Sequence, residues 1–536
     1  MATKHSLLLW ILVFLVSWVP PTIADDDDIP SNFSRGYFPD SFIFGSSTSA
    51  YQIEGDALEK GRGPSVWDIF SHTPGKILDN STGDVADDFY DIHKEDIERM
   101  KQMGLNASRF SISWSRVVPS GRVWEGVNQQ GIEFYNNIID ETIAKGLEPF
   151  VTIFHWDTPQ ALQDKYGGFL SPNIVDDFRD YADLLFEKFG DRVRYWMTLN
   201  NPWAVIEYGY DEGIYAPGRC SSWLNHNCSA GDSATEPYIV AHHLLLSHAA
   251  AVQVYREKYQ YQGIRKGNIG ITLFAFWYEP ISNKTEDREA AKTALDFMFG
   301  LFMEPMTNGW YPRSVQRLVG DRLPKFTDRE SQLLKGSYDF IGLQYYSSYY
   351  AKANATTDPN HTRYKTDSHV NVTAYDEDGL PIGPRAYSPW LYIYPKGIRY
   401  LLNYTKDRYN DPVIYITENG VDAYNNKSQT EQQVVKDDFR INYHKEHMWN
   451  ALGSIKFVQS PVFNYKEVLY NPKLIRLMTI GFGRDYNVSV KDDSLRRYPK
   501  DSAIWFCRFL TIVLRKGDCE LNPYNSSSSE VTTAQF

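Results

Sequence analysis

Gln130-Gly-Ile-Glu-Phe-Tyr-Asn-Asn-Ile-Ile-Asp-Glu-Thr-Ile-Ala-Lys145, followed closely by Pro149-Phe-Val-Thr-Ile-Phe154, is the stretch whose pattern decides the fold. In the first segment apolar residues recur three and four apart (Ile132, Tyr135, Ile138, Ile139), which lays a stripe along one face of a helix. The second is a short, nearly continuous apolar run with β-branched residues, the pattern of a strand buried on both faces. The same alternation fills the chain. Further strands read at Phe42–Tyr51, Ser108–Trp114, Tyr195–Asn200, Asn268–Phe274, Phe340–Tyr346 and Val413–Glu418. Further helices read at Asn173–Phe189, Pro237–Tyr259, Arg288–Phe302 and Gln433–Ala451. Strand–helix repetition implies parallel strands joined by right-handed crossovers. No dinucleotide fingerprint follows the first strand, so a closed α/β barrel, the (β/α)8 TIM barrel, is expected over a doubly wound sheet. The insert Ala353–Gly383 reads as loop above it. No linker divides the chain, so one domain over residues 34–515 and a tail over 516–536 are expected.

The 536 residues would suit two to four ordinary domains or one large barrel. Composition narrows the function. Lys+Arg 55 against Asp+Glu 67 gives a net charge of -12 with no basic run, which argues against nucleic acid or an anionic membrane as partner. Aromatic residues at 15% suit a large core or a cleft that stacks on flat apolar faces such as sugar rings.

The N-terminus reads as a signal peptide over residues 1–24. Lys4 and His5 precede the apolar run Ser6–Trp18, and Thr22-Ile23-Ala24 offers small residues at a cleavage site. Pro20-Pro21 ends the run short of a membrane span, and no later stretch is long enough, so no membrane partner is expected after cleavage. Sequons at Asn32, Asn80, Asn106, Asn227, Asn283, Asn354, Asn360, Asn371, Asn403, Asn426, Asn487 and Asn525 fit a secreted glycoprotein. Cys220 and Cys228 bracket a short polar loop and are the expected disulfide. Cys507 lies in an apolar helical pattern and reads as a buried thiol, although Cys519 could pair with it. These cysteines show no metal-ligand spacing, and Thr533-Ala-Gln-Phe536 is no retention signal. The expected location is the secretory pathway, ending outside the cell (the apoplast) or in a vacuole.

In such a barrel chemistry sits at the C-terminal ends of strands. The polar residues there are Gln52, Arg109, His155, Asn200 with Asn201, Tyr346 and Glu418. Any one of them could simply cap the next helix. Six around one mouth point to a site.

The segments Phe42-Ile-Phe-Gly-Ser-Ser-Thr-Ser-Ala-Tyr-Gln-Ile-Glu54, Arg109-Phe-Ser-Ile-Ser-Trp-Ser-Arg116, Phe154-His-Trp-Asp-Thr-Pro-Gln160, Thr198-Leu-Asn-Asn-Pro-Trp203, Ile416-Thr-Glu-Asn-Gly420 and Arg497-Tyr-Pro-Lys-Asp-Ser-Ala503 carry a resemblance. They resemble glycoside hydrolase family 1, and within it the secreted plant β-glucosidases of cyanogenic and related glycosides. The resemblance implies retaining hydrolysis of β-D-glucosides of plant secondary metabolites. One carboxylate attacks the anomeric carbon while a second carboxyl, roughly 5–5.5 Å away, protonates the departing oxygen. It implies that Glu418 is the nucleophile, that Arg109 keeps it ionised, and that Tyr346 steadies it. Gln52, His155 and Asn200 match residues that bind sugar hydroxyls. It implies no cofactor and no metal, and it admits a homodimer.

Two departures qualify it. Where the family has Thr-Leu-Asn-Glu-Pro, with Glu as general acid and base, this chain has Asn201. An amide neither donates a proton to a leaving alkoxide nor takes one from water, and that function supplies ~10²–10⁴-fold. Glu207, six residues on, falls in the following loop or helix and is not expected to replace it. At strand eight the family pattern Trp-Ser-x-x-Asp-Asn-Phe-Glu-Trp is missing, and no Trp occurs between Trp449 and Trp505. Intact motifs on both sides favour an altered splice or gene model over gradual divergence. Leu474–Ile480 could serve as a replacement strand, and a barrel imperfectly closed there, with an open edge, is expected. The function expected is therefore a β-glucosidase with weak or redirected activity. A transglucosidase and a catalytically silent glycoside binder are the alternatives.

Overall fold

Parallel pairing carries the chain once around a ring. The structure is a computed structural model, which describes residues 29–261, 267–354, 356, 358–424, 428–456, 475–481, 486–488 and 497–511. The chain divides into the units Met1–Phe33 and Ser34–Phe536, and the barrel lies within the second. Its strands are β1 (Ile43–Ser47), β2 (Ala107–Ser111), β3 (Glu148–Phe154), β4 (Tyr195–Asn200), β5 (Asn268–Phe274), β6 (Phe340–Gln344), β7 (Ile414–Asn419) and β8 (Ile475–Gly481). They form a closed barrel in that order, β8 returning to β1. The α/β barrel expected from the alternation is the fold observed.

The seam that matters is the last. β8 pairs with β1 in unbroken register from Ile43 with Leu477 to Ser47 with Gly481. Its other seam, with β7, is parallel but shifts register between Ile414 and Ile416 and again between Ile416 and Asn419. The segment suggested as a replacement strand therefore completes the ring, and the expected open edge is absent. The irregularity expected at strand eight is confined to the β7–β8 register.

The floor of the barrel is apolar. Ala107, Phe150, Met197, Phe340 and Tyr415 pack together there, with Phe150 stacked on Tyr195 at 4.3 Å. Fully burying a side chain of the size of Phe or Met stabilises by about 1.5–3 kcal/mol. Side chains therefore fill the lower barrel, and reactive groups are left to its upper end. Outside, helices cover the ring. In Asn173–Phe189 the buried residues Ile174, Phe178, Tyr181, Ala182, Leu185 and Phe189 recur three and four apart, and this helix packs on Glu236–Lys258.

Four elements differ from expectation. The first strand ends at Ser47, and Ala50–Ile53 is a helical turn, because the small polar run Ser46–Ser49 breaks the apolar pattern. The helix expected over Arg288–Phe302 is Thr285–Leu295, a π-turn over Asp296–Gly300, and Leu301–Asn308. The helix expected over Gln433–Ala451 is divided into Glu431–Val434 and Asp438–Lys456. The insert read as loop carries structure: Trp277–Pro280, Ser348–Ala353 and Val370–Thr373 form a three-stranded sheet, and Tyr364–Asp367 is helical.

Cys220 and Cys228 are joined, with Cα atoms 5.7 Å apart. Cys507 is buried and also disulfide-bonded, which corrects the reading of it as a thiol; Cys519 lies outside the described residues. Among the described residues no helix is long and apolar enough to cross a membrane.

Candidate active site

Glu418 is the second-to-last residue of β7 and retains 18% side-chain exposure, opening onto the mouth. Arg109 on β2 is wholly buried and donates from one terminal nitrogen to Glu418 Oε1 at 2.6 Å. Tyr346, two residues beyond the end of β6, donates its hydroxyl to the other carboxylate oxygen at 2.6 Å. Burial pushes the Glu418 pKa up, but the Arg109 charge and these two hydrogen bonds outweigh it and hold the carboxyl below its ordinary range. It stays ionised at neutral pH.

The network continues behind it. Arg109 also donates to Ser47 Oγ at 2.8 Å and to Asn200 Oδ1 at 2.6 Å. Gln344 Nε2 donates to the same Asn200 oxygen at 2.6 Å. The Asn200 amide nitrogen lies 2.9 Å from His155 Nε2. Both donors to Asn200 meet its oxygen, so its amide nitrogen must donate, and His155 Nε2 must accept. Burial pushes the His155 pKa down to about 3, so the ring is neutral and its proton sits on Nδ1. That Nδ1 is buried and has no partner among the described residues, which leaves a donor for a ligand hydroxyl.

Asn201 does something else. Its backbone is left-handed, at φ 40° and ψ 66°, a conformation that asparagine tolerates better than longer residues. Its side-chain oxygen accepts from Ala204 N at 3.2 Å and caps the short helix Pro202–Ala204. Trp156, just beyond the end of the adjacent strand β3, is also left-handed at φ 71°, with its indole donating to Asn200 O at 2.8 Å. Two non-glycine residues in this region beside one cluster mark a site whose surroundings impose its geometry.

The family model for glycosyl hydrolase family 1 matches residues 34–513. This chain belongs to that family. It is 50% identical over 505 residues to beta-glucosidase 12 of Oryza sativa subsp. indica, covering 93% of this chain and 98% of that protein. It is 49% identical to raucaffricine-O-beta-D-glucosidase of Rauvolfia serpentina, over 90% and 92% of the two. Among solved structures it superposes on the rice Os3BGlu6 beta-glucosidase with a TM-score of 0.84 at 45% identity, covering 89% of this chain and all of that one. A glutamate-to-glutamine mutant of that enzyme, in a covalent complex with Glc, matches equally well. The protein is a glycosyl hydrolase of the β-glucosidase type.

In this family 1 chain the structure joins Arg109, His155, Asn200, Tyr346 and Glu418 through direct hydrogen bonds. Gln52 stands apart from them, exposed on Ala50–Ile53 and hydrogen-bonded to Ser49. Ser47 and Gln344 were missed, although both end barrel strands and the same positional rule would have found them. Glu207 lies in a π-turn over Val205–Asp211; burial first, then the neighbouring Asp211, push its pKa up to about 8. The sequon residues Asn32, Asn80, Asn227, Asn283, Asn360 and Asn371 are exposed. Asn106 is exposed as well, and its side-chain oxygen accepts from Phe44 N at 2.7 Å. The side chains of Asn426, Asn487 and Asn525 lie outside the described residues.

Proposed function

We propose that this protein cleaves β-D-glucosides by forming a covalent adduct on Glu418, and that it does so effectively only when the aglycone departs without a proton. The observation that carries this reading is the pairing of an ionised Glu418 with an amide at position 201 that is committed to a helix cap. A lone pair of Glu418 attacks the anomeric carbon, and the bond to the aglycone oxygen breaks with its electron pair. Arg109 and Tyr346 take one hydrogen bond each, which leaves the carboxylate further lone pairs for attack. His155 and Asn200 hold sugar hydroxyls. The adduct then waits, since nothing at position 201 can deprotonate water.

The relatives support the substrate class: beta-glucosidases, one of them named for the O-β-D-glucoside raucaffricine. The rice mutant in covalent complex with Glc supports the second half, since that fold holds a glucosyl adduct when one glutamate has become an amide. The signal-like segment at residues 1–24 and the exposed sequons support passage through the secretory pathway to the apoplast or a vacuole, with glycan on the exposed asparagines.

Rates across aryl β-glucosides of graded phenol acidity test this. The expected result is a steep rise with phenol acidity, because no proton assists departure. A flat dependence would show that another group protonates the leaving oxygen. Added alcohols report whether an acceptor other than water takes the glucosyl group, through a transfer product.

A further inference from the structure

Against the outer helices lies a second cavity of about 480 Å³, within the roughly 300–1,000 Å³ usual for small-molecule sites. Its walls come from Thr285–Leu295, the π-turn Asp296–Gly300, Arg313–Val319 and Lys396–Arg408. The last of these ends at Arg408, shortly before β7 enters the barrel at Ile414, whereas Glu418 lies at the exit of that strand. The cavity is therefore separate from the mouth.

Its charges do not balance. Lys292, Arg313, Arg317 and Arg408 face Glu289 and Asp296. Both acids are already engaged. Lys292 pairs with Glu289 at 2.8 Å. Ser314 Oγ donates to Asp296 at 2.5 Å, and Arg408 is shared between the other Asp296 oxygen and Glu304, 3.4 Å from each. Arg313 and Arg317 are exposed and have no hydrogen bond or ion pair with another side chain among the described residues. They stand four apart on one helix, where like charges repel. Two uncompensated guanidinium groups on one cavity wall are unexpected in a chain of net charge -12.

We infer that this cavity binds a small dianionic phosphate ester, with Arg313 and Arg317 holding its phosphoryl oxygens. A dianion matches the two unpaired guanidinium groups of Arg313 and Arg317, whereas a monoanionic carboxylate leaves one of them unpaired. The planar guanidinium donates two parallel hydrogen bonds to such oxygens. A phosphate monoester carries about -1.5 to -2 at pH 7. Tyr404, on the wall formed by Lys396–Arg408, brings an aromatic ring to the lining for the organic part of the ester, and the Trp277 ring lies 6.2 Å from it, edge to face.

The test is calorimetric titration of the full chain with inorganic phosphate and, separately, phenyl phosphate, each against sodium chloride of equal ionic strength. Saturable binding is expected, weakened at least tenfold in the double variant Arg313→Gln/Arg317→Gln. Tighter binding of phenyl phosphate identifies an ester as the ligand, and equal binding identifies the free anion; both outcomes support the dianion site. Heat reproduced by sodium chloride, or undiminished binding in the double variant, overturns it. Should that variant not fold, phenylglyoxal modification of the unaltered chain decides. Phosphate should protect Arg313 and Arg317 in the peptide map, and modification at the same rate with and without phosphate overturns the proposal.

Discussion

Asn201 and Glu418 sit at the same end of the barrel, one an amide that caps a short helix and the other a carboxylate. Glu418 is held ionised by Arg109 and Tyr346, while Asn201 folds back onto Ala204 N. Replacing Asn201 by Glu should therefore have two opposed effects. Loss of the cap should lower stability by about 0.5–2 kcal/mol. The new carboxyl should raise hydrolysis of glucosides with poor leaving groups, by up to ~10²–10⁴. Paired urea unfolding and kinetics check both signs. Tyr346→Phe removes one donor that favours the ionised carboxylate, so the Glu418 pKa should rise. The acid limb of adduct formation should then move to higher pH, as a pH–rate profile would show. Most of this site was legible because its members end buried strands, where the apolar pattern stops at a polar residue. The cap at Asn201 was not, because a left-handed φ leaves no mark in one sequence that a strand-terminal asparagine would not leave anyway.

At the scale of elements, seven barrel strands could be read because each is a short apolar run between amphipathic helices. β8 was suggested only as a substitute, since its flanks lack the family pattern; parallel pairing with both β1 and β7 gives it its place. β7 therefore has neighbours on both sides, and the backbone bearing Glu418 is not an exposed edge. The insert over Ala353–Gly383 was misread because strands of a small outer sheet alternate too briefly to stand out among polar residues. Inside the barrel, a Cβ at Gly342 would lie 2.6 Å from Thr272 Oγ1 and 2.9 Å from Thr417 Cγ2. Gly342→Ala should thus force β5 and β7 apart and cost about 1–3 kcal/mol by overpacking, measurable as a lower urea midpoint. An unchanged midpoint would mean that the strands yield more easily than a closed ring should.

For the whole molecule, buried ionisable groups set the pH of greatest stability. Burial holds His155, His248 and His447 down to about 3 and His242 down to about 4. Below the ordinary 6.5 the unfolded chain takes up protons that the folded chain refuses, so these four remove stability as pH falls. Burial raises Asp87 to about 6, Asp157 to about 7 and Glu207 to about 8. Here the folded chain keeps protons that the unfolded chain has released, so stability falls as pH rises from about 4 through those values. Each uncompensated proton changes stability by about 1.4 kcal/mol per pH unit. Above 6.5 only Asp157 and Glu207 of this set still act, so thermal unfolding across pH 4–9 should peak near 6–6.5. Glu207→Gln should flatten the alkaline side. The central claim is that Glu418 captures a glucosyl group which nothing at position 201 helps to release, and peptide mass mapping after mixing with 2,4-dinitrophenyl β-D-glucoside tests it most directly. The peptide carrying Glu418 should gain one glucosyl group, and azide, which needs no deprotonation, should remove it as β-glucosyl azide. An unmodified Glu418 after the phenol has been released, or turnover in water that azide does not speed, would contradict the account.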